Sequence, residues 1–326
     1  MNLNWGIIGL GKIAHHFAND LKLAKNNTLY AVGSRSLDKA INFSQLHGAE
    51  LAFGSYEDLC KNPKVDIIYI ATPHDSHAAY SKLAMQNGKH VLCEKPAGIN
   101  AQEVEEMTRF AAENKVFFME ALWTRFNPTI LAVIDECKKE TFGEIKQIYA
   151  DFSFYKAYDQ ESRLFNVDRA GGALLDIGIY PIFLSYLLLG KPQSLDSRSI
   201  LHPTGIDLQS RISMEYKGAS AQLFCSLVTP PKVDAFIIGT RGKIEIHSRW
   251  HESDGYTITI DEISSRVELP RTGKGYYYEI LECHRCITNN ELQSKHWSHE
   301  DSINLISILD TVRDQNGIIY PSEKAD

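Results

Sequence analysis

Two short segments carry the residue types of proton transfer. Residues 94–96 read Glu94-Lys95-Pro96. A lysine at such a site can steady a developing oxyanion and lower the pKa of a neighbouring acid. Residues 171–181 read Gly-Gly-Ala-Leu-Leu-Asp-Ile-Gly-Ile-Tyr-Pro, with Asp176 and Tyr180 four apart and therefore on one face of a helix. A phenol beside an ammonium has a lowered pKa, because the nearby positive charge favours phenolate. Tyr180 can then exchange a proton with a substrate hydroxyl while hydride moves to or from a nicotinamide. Gly171, Gly172 and Gly178 are expected to let this helix approach the cofactor closely. Each residue also has a plain reading: Lys95 as a turn lysine, Asp176 as a local cap, Tyr180 as packing.

A cofactor for such chemistry is suggested at the start of the chain. Residues 5–14 read as an apolar strand running into Gly9-x-Gly11-x-x-Ala14, which opens a helix. Gly9 permits the tight turn and Gly11 admits a pyrophosphate. Ala14 keeps helix and strand close, and the helix N-terminus, with Lys12 and Ile13, offers free N–H groups to the anion. The second strand of such a fold usually ends in an acid that holds the ribose 2′-hydroxyl. Here it ends Gly33-Ser34-Arg35-Ser36, and the next acid is Asp38. Arg35, helped by Ser34 or Ser36, suits a 2′-phosphate, so NADP is expected, with NAD as the alternative.

Further candidates follow later strands. Thr72, Pro73, His74 and His77 lie after an apolar run and would line the cofactor cleft, as would Glu94, Lys95 and Pro96; the two histidines could equally cap and pack a helix. Residues 119–128 read Met-Glu-Ala-Leu-Trp-Thr-Arg-Phe-Asn-Pro. Trp123 and Phe126 could wall a pocket and Arg125 could grip a phosphate or polar substrate, or the segment could be a packing hinge. Cys283-His284-Arg285-Cys286 has no second cysteine pair to complete a zinc site and reads as helix, so no metal is expected.

Strand candidates at 5–8, 29–32, 66–71, 90–93 and 116–119, with helices between them, predict a doubly wound parallel sheet over residues 1–121. Asn100 and Glu103 suggest a capping box for a helix over 101–113, and Gly88 a stop after one over 75–87. After residue 121 the period changes. A helix over 128–139 precedes strands with alternating faces, such as Ile148, Ala150, Phe152 and Phe154, or Leu208, Ser210, Ile212, Met214 and Tyr216. Strands over 219–228, 233–239, 243–247 and 256–261 continue this style, and helices over 276–289 and 299–315 close the chain. The expectation is a second α+β domain, 122–326, with a large open, mainly antiparallel sheet, its C-terminal helices able to pack back on the first domain. The 326 residues suit two domains, and the net charge of −7 argues against nucleic acid. No apolar run reaches the roughly 18–20 residues of a membrane span, and no export signal is read, so a cytoplasmic location is expected.

Taken together, Gly9-x-Gly11-x-x-Ala14, Glu94-Lys95-Pro96 and Gly171-Gly172-x-x-x-Asp176-x-Gly178-x-Tyr180 resemble the Gfo/Idh/MocA oxidoreductase family along essentially the whole chain. Many members carry His where this chain has Tyr180. Tyrosine there, with Glu120-Ala-Leu-Trp-Thr-Arg-Phe126, is similar to the branch of dimeric dihydrodiol dehydrogenases and NADP-dependent D-xylose dehydrogenases; glucose–fructose oxidoreductase also places tyrosine there. The resemblance implies Lys95 and Tyr180 as catalytic residues, Asp176 as the acid that helps hold the substrate, and a homodimer through the antiparallel sheet. It implies a sugar, polyol or cyclic trans-diol as the small-molecule partner. The enzyme alternative keeps the cofactor permanently bound and shuttles hydride between two sugars. The non-enzyme alternative is a regulatory protein that binds NADPH without turnover.

Overall fold

The short apolar runs of the first third form a six-stranded parallel sheet in a computed structural model that describes residues 1–324. Its strands are β1 (Leu3–Ile8), β2 (Asn27–Gly33), β3 (Leu51–Phe53), β4 (Ile67–Ile70), β5 (His90–Glu94) and β6 (Phe118–Ala121), in the order β3-β2-β1-β4-β5-β6. They alternate with α1 (Lys12–Leu21), α2 (Leu37–His47), α3 (Tyr56–Lys61), α4 (His77–Gln86) and α5 (Ala101–Asn114). Trp5, Ile7, Ile67 to Ile70 and Val91 to Cys93 are fully buried, as expected of a sheet covered on both faces. The strand order reverses between β1 and β4, so the loops leaving those two strands flank the crevice where such sheets take ligands. Asn100 caps α5 by accepting from Glu103 N, and the Glu103 carboxylate reaches back to accept from Ile99 N. The expected helix from residue 75 begins as a 3₁₀ turn at His74–Ser76 before α4.

The second sheet follows α6 (Pro128–Lys138). It is built from β7 (Ile145–Ser153), then, after α7 (Ile179–Leu189), from β8 (Ser194–Leu201), β9 (Asp207–Tyr216), β10 (Ala219–Ser226), β11 (Ala235–Gly239), β12 (Gly242–Ile246), β13 (Gly255–Ile260) and β14 (Ile263–Glu268). Its order is β14-β13-β12-β11-β7-β10-β9-β8, and every pair is antiparallel except β7 with β10. That exception follows from the long connection through α7, β8 and β9, which lets the chain return in the same direction. Ile148, Ala150, Phe152, Ile212, Met214 and Tyr216 are buried on the expected face. The chain ends with α8 (Tyr276–Thr288) and α9 (His299–Asn316).

The described residues divide into two compact units. One comprises Met1–Phe126 with Thr272–Ile303; the other comprises Asn127–Arg271 with the residues from Asn304 onward. In the first unit, the carboxylate of Asp20 on α1 binds the start of α8, accepting from Lys274 N at 2.9 Å on both oxygens and from Tyr277 N at 3.2 Å. Asp20 is buried, so Asp20→Ala takes the acceptor from part-buried amides at the start of α8. The expected loss is about 1–3 kcal/mol, read as a lower melting temperature by calorimetry with the parallel sheet's circular dichroism retained.

One stretch corrects the sequence expectation about apolar runs. Val167–Leu189 has a mean hydropathy of 1.8 over an 18-residue window and is long enough to cross a bilayer by length and composition. Asp176 interrupts the run, which hides it from a count of consecutive apolar residues. In the fold 78% of that window is buried, which is the mark of a core helix.

Candidate active site

At the C-terminal edge of the parallel sheet, Gly9 follows β1 with φ +90°. A Cβ there would lie 2.5 Å from the carbonyl of Ala71, so only glycine fits between the two loops. A Cβ on Gly11, by contrast, would meet no protein atom within 4 Å. Gly11 is the N-cap of α1 and brings no side-chain cap, so the first amides of the helix, from Lys12 and Ile13 on, have no capping side chain. Thr72, after β4, has a buried hydroxyl with no hydrogen-bond partner. A bare turn, an uncapped helix N-terminus and an orphaned hydroxyl on one edge fit a dinucleotide. After β2, Ser34 is buried and accepts from Ser36 N, Ser36 caps α2, and Arg35 is exposed.

The loop bearing Lys95 is held on several sides. Glu94 accepts from the Tyr69 hydroxyl and from Lys95 N. The Lys95–Pro96 peptide is cis. The next amide, Ala97 N, donates to Glu120 Oε1 at 2.9 Å, and Glu120 Oε2 accepts from the Trp297 indole at 3.0 Å. Burial raises the pKa of Glu120, while those two bonds, Ser302 and the Lys95 charge draw it back. His77 lies fully buried between two loops, its Nδ1 2.8 Å from Pro96 O and its Nε2 2.8 Å from Thr72 O. Both partners are carbonyl oxygens, which only accept, so satisfying both takes the doubly protonated ring. His74 packs edge-on against it, 5.7 Å between centroids, just after Pro73. Glu279 on α8 is wholly buried with neither oxygen partnered, and burial and the charge of Glu94 raise its pKa well above the ordinary carboxylate range.

Trp123 and Arg125 lie in a 3₁₀ turn after β6, in the same unit. Trp123 stacks on Tyr276 with centroids 5.2 Å apart. Arg125 is only 9% exposed, and its Nε and Nη1 lack hydrogen-bond partners. Burial pulls its pKa down, against the charges of Asp301 and Glu282. Cys283 and Cys286 lie on α8 as expected, both buried.

In the second unit, Asp176 falls in a π turn, Leu174–Gly178, that runs straight into α7, where Tyr180 lies. Turns of this wide kind are frequent at functional sites. Tyr180 is 5% exposed. Its ring lies 5.4 Å from Phe152 and 5.3 Å from His251, which stack on each other at 4.3 Å. Asp176 Oδ1 accepts from Arg163 Nη2 at 2.8 Å.

The glycines beside Asp176 answer to the protein's own atoms, which corrects the expectation that they clear space for a cofactor. A Cβ on Gly171 would lie 2.5 Å from Arg163 O, one on Gly178 would lie 2.8 Å from Cys225 Sγ, and one on Gly172 would lie 2.2 Å from Asp207 Oδ1. They admit a loop, strand β10 and a buried carboxylate.

Residues 3–122 match the oxidoreductase family with NAD-binding Rossmann fold, and residues 131–245 match the GFO/IDH/MocA C-terminal domain. The chain belongs to the Gfo/Idh/MocA oxidoreductase family. It is 33% identical to trans-1,2-dihydrobenzene-1,2-diol dehydrogenase of Danio rerio over 342 residues, covering 99% of each chain. It is 32% identical to the enzyme of that name from Homo sapiens over 338 residues, covering 99% of this chain and all of the relative. Among solved structures, a 3-ketoreductase from Actinomadura kijaniata, in complex with NADP and TDP-benzene, superposes with a TM-score of 0.86 at 25% identity, over 97% of this chain and 98% of the other. The aldose-aldose oxidoreductase of Caulobacter crescentus has a TM-score of 0.88 at 19% identity, over 97% of each chain, and speaks for the fold alone. This Gfo/Idh/MocA chain is an oxidoreductase with a dinucleotide-binding Rossmann domain, as the motifs led one to expect.

Several residues around the candidate groups in each unit of this Gfo/Idh/MocA chain were missed in the sequence. Glu120 was quoted only as part of a motif, and nothing local marks Trp297 as its partner, 177 positions away. Arg163 lies in a stretch without periodicity, and His251 follows Trp250 in a short 3₁₀ turn between strands. For Asp207 the one detectable signal was an acid opening an alternating strand, since an acid at a strand's start needs a partner when buried.

Proposed function

We propose that this chain is an NADP(H)-dependent oxidoreductase acting on a secondary alcohol, or the matching carbonyl, of a sugar, polyol or cyclic trans-diol. The reading is carried by the lysine loop at the ligand edge of the Rossmann sheet, held by His77 on one side and Glu120 on the other. Residues 1–121 bind the dinucleotide, through Gly9, Gly11, Lys12, Ile13, Thr72, Pro73, His74, His77 and Glu94 to Pro96, with Trp123 and Arg125 adjoining. Residues 122–326 bind the substrate and form a homodimer through the eight-stranded sheet. When bound, the nicotinamide supplies or accepts hydride. Tyr180 is the general acid or base at the substrate hydroxyl, in a dry setting walled by Phe152 and His251. Lys95 carries the positive charge that steadies the oxyanion. Asp176 orients the substrate by accepting from a neighbouring hydroxyl, and Arg163, now paired with it, holds its geometry. The names of the relatives support this substrate class. All six cysteines are unpaired, which suits a reducing, cytoplasmic setting.

A spectrophotometric screen at about 340 nm, with NADP and NAD against aldoses, dihydrodiols and inositols, tests the reading through proton-coupled hydride transfer. NADP-linked turnover of a member of that panel supports it; retained NADPH binding with no turnover across the panel points to the regulatory alternative. Released nucleotide on denaturing the purified protein would favour the permanently bound cofactor. Arg35→Ala tests the choice of coenzyme. It is expected to raise the Kd for NADPH about 10–100-fold, the worth of a charge-assisted contact to phosphate, and to leave NADH nearly unchanged. Equal effects on both coenzymes, by fluorescence titration, would reject the 2′-phosphate contact.

A further inference from the structure

The helix that carries Asp176 and Tyr180 begins without a cap of its own. Its N-cap is Ala173, whose methyl side chain cannot accept from the first amides. The acceptor comes from the start of β9. Asp207 Oδ2 takes Leu174 N at 2.8 Å and the Ser210 hydroxyl at 3.3 Å. Asp207 is fully buried, its Oδ1 has no partner, and it lies so close to Gly172 that any side chain there would overlap it. Gly172 has φ +118°, a conformation that suits glycine.

We propose that Asp207 is a positioning residue for Tyr180 and Asp176, a cap supplied from the sheet that fixes the first turn of their helix, with Gly172 kept bare to admit it. The role rests on the reading of Tyr180 as the proton-transfer group. A buried carboxylate facing a helix N-terminus answers both its unpaired amides and the positive end of its dipole. The other titratable groups facing it are neutral: Cys225 on β10 and Tyr320, whose pKa values burial and the Asp207 charge both raise. Behind Tyr320 lie Arg313, over its ring at 4.6 Å, and the acids Glu323 and Asp310 that pair with that arginine. Burial outweighs the cap bonds and pushes Asp207 from 3.8 up to about 6. The folded value lies above the ordinary one, so this group favours the fold below that window and the benefit is lost as pH rises through it. At neutral pH the ionised cap is kept at a cost to stability, as functional positions often are.

The test uses the full chain with Asp207→Asn, which keeps the shape and one acceptor, and Asp207→Ala. Hydrogen exchange over residues 173–185 reads the cap directly; faster exchange of the first-turn amides is expected in both variants. NADPH affinity is expected to stay within about twofold, while kcat falls about 10²-fold in Asp207→Ala, the effect of a small misplacement, and less in Asp207→Asn. Wild-type kcat should show an acid limb near the Asp207 value that Asp207→Asn lacks, a readout that mere loss of packing would not move. Unchanged exchange overturns the cap. Altered exchange with unchanged kcat and pH profile in both variants overturns the positioning role. If the wild type itself turns over nothing, the functional reading fails separately, and the exchange result still decides whether the cap exists.

Discussion

Tyr180→Phe is expected to lower kcat by about 10²–10⁴-fold, the range for removing a positioned general acid or base. The substitution deletes one oxygen and keeps the ring, so the contacts with Phe152 and His251 persist and the core helix should fold as before. Dinucleotide binding, which belongs to the unit with the Rossmann sheet, should be untouched. The measurement is steady-state kcat and KM with the best substrate of the screen, beside a fluorescence titration of NADPH. Turnover close to wild type in a clean preparation would remove Tyr180 from the chemistry.

Lys95→Met should cost about 10²–10³-fold in kcat, the loss typical of one preorganised oxyanion partner. Methionine keeps an unbranched stem and drops the charge. The loop itself is tied through backbone groups, Ala97 N to Glu120 and Pro96 O to His77, neither of which involves the lysine side chain. Its shape should therefore survive the change, and a fall in kcat with a nearly unchanged KM for coenzyme separates lost charge from a collapsed loop. A variant as active as the wild type would leave Lys95 without a catalytic part. Lys95→Arg, which keeps the charge on a different shape, should recover only part of the rate.

What could be read from the residues alone was whatever is local. The bare turn after β1, the lysine at the end of β5 and the Asp176/Tyr180 spacing each fit within a dozen residues. Strands with one buried face, such as β7 and β9, showed through their alternation. Three strands did not: β3 is three half-buried residues, β8 has a single buried position, and β14 is exposed along nearly its whole length, so none offers an apolar period. The pairings that lock the site were equally hidden, because they join distant residues: Glu120 to Trp297, His77 to Pro96, Leu174 to Asp207. The glycines near Asp176 show the limit of reading a motif by itself. Their presence was legible, but what they make room for depends on which strand lies against them.

The chain passes between its two units at three points, after residues 126, 271 and 303, and the last of these falls within helix α9. Exchanging specificity with a relative by a single fusion joint would therefore set Asp20 against the donor's turn at 274–277, and Glu120 against whatever side chain the donor carries in place of the Trp297 indole. A working chimera would need donor sequence only between the first two joints and beyond the third, grafted so that the helical phase of α9 runs unbroken across the seam. Libraries cut in that way, and not at one midpoint, are the ones this architecture can tolerate.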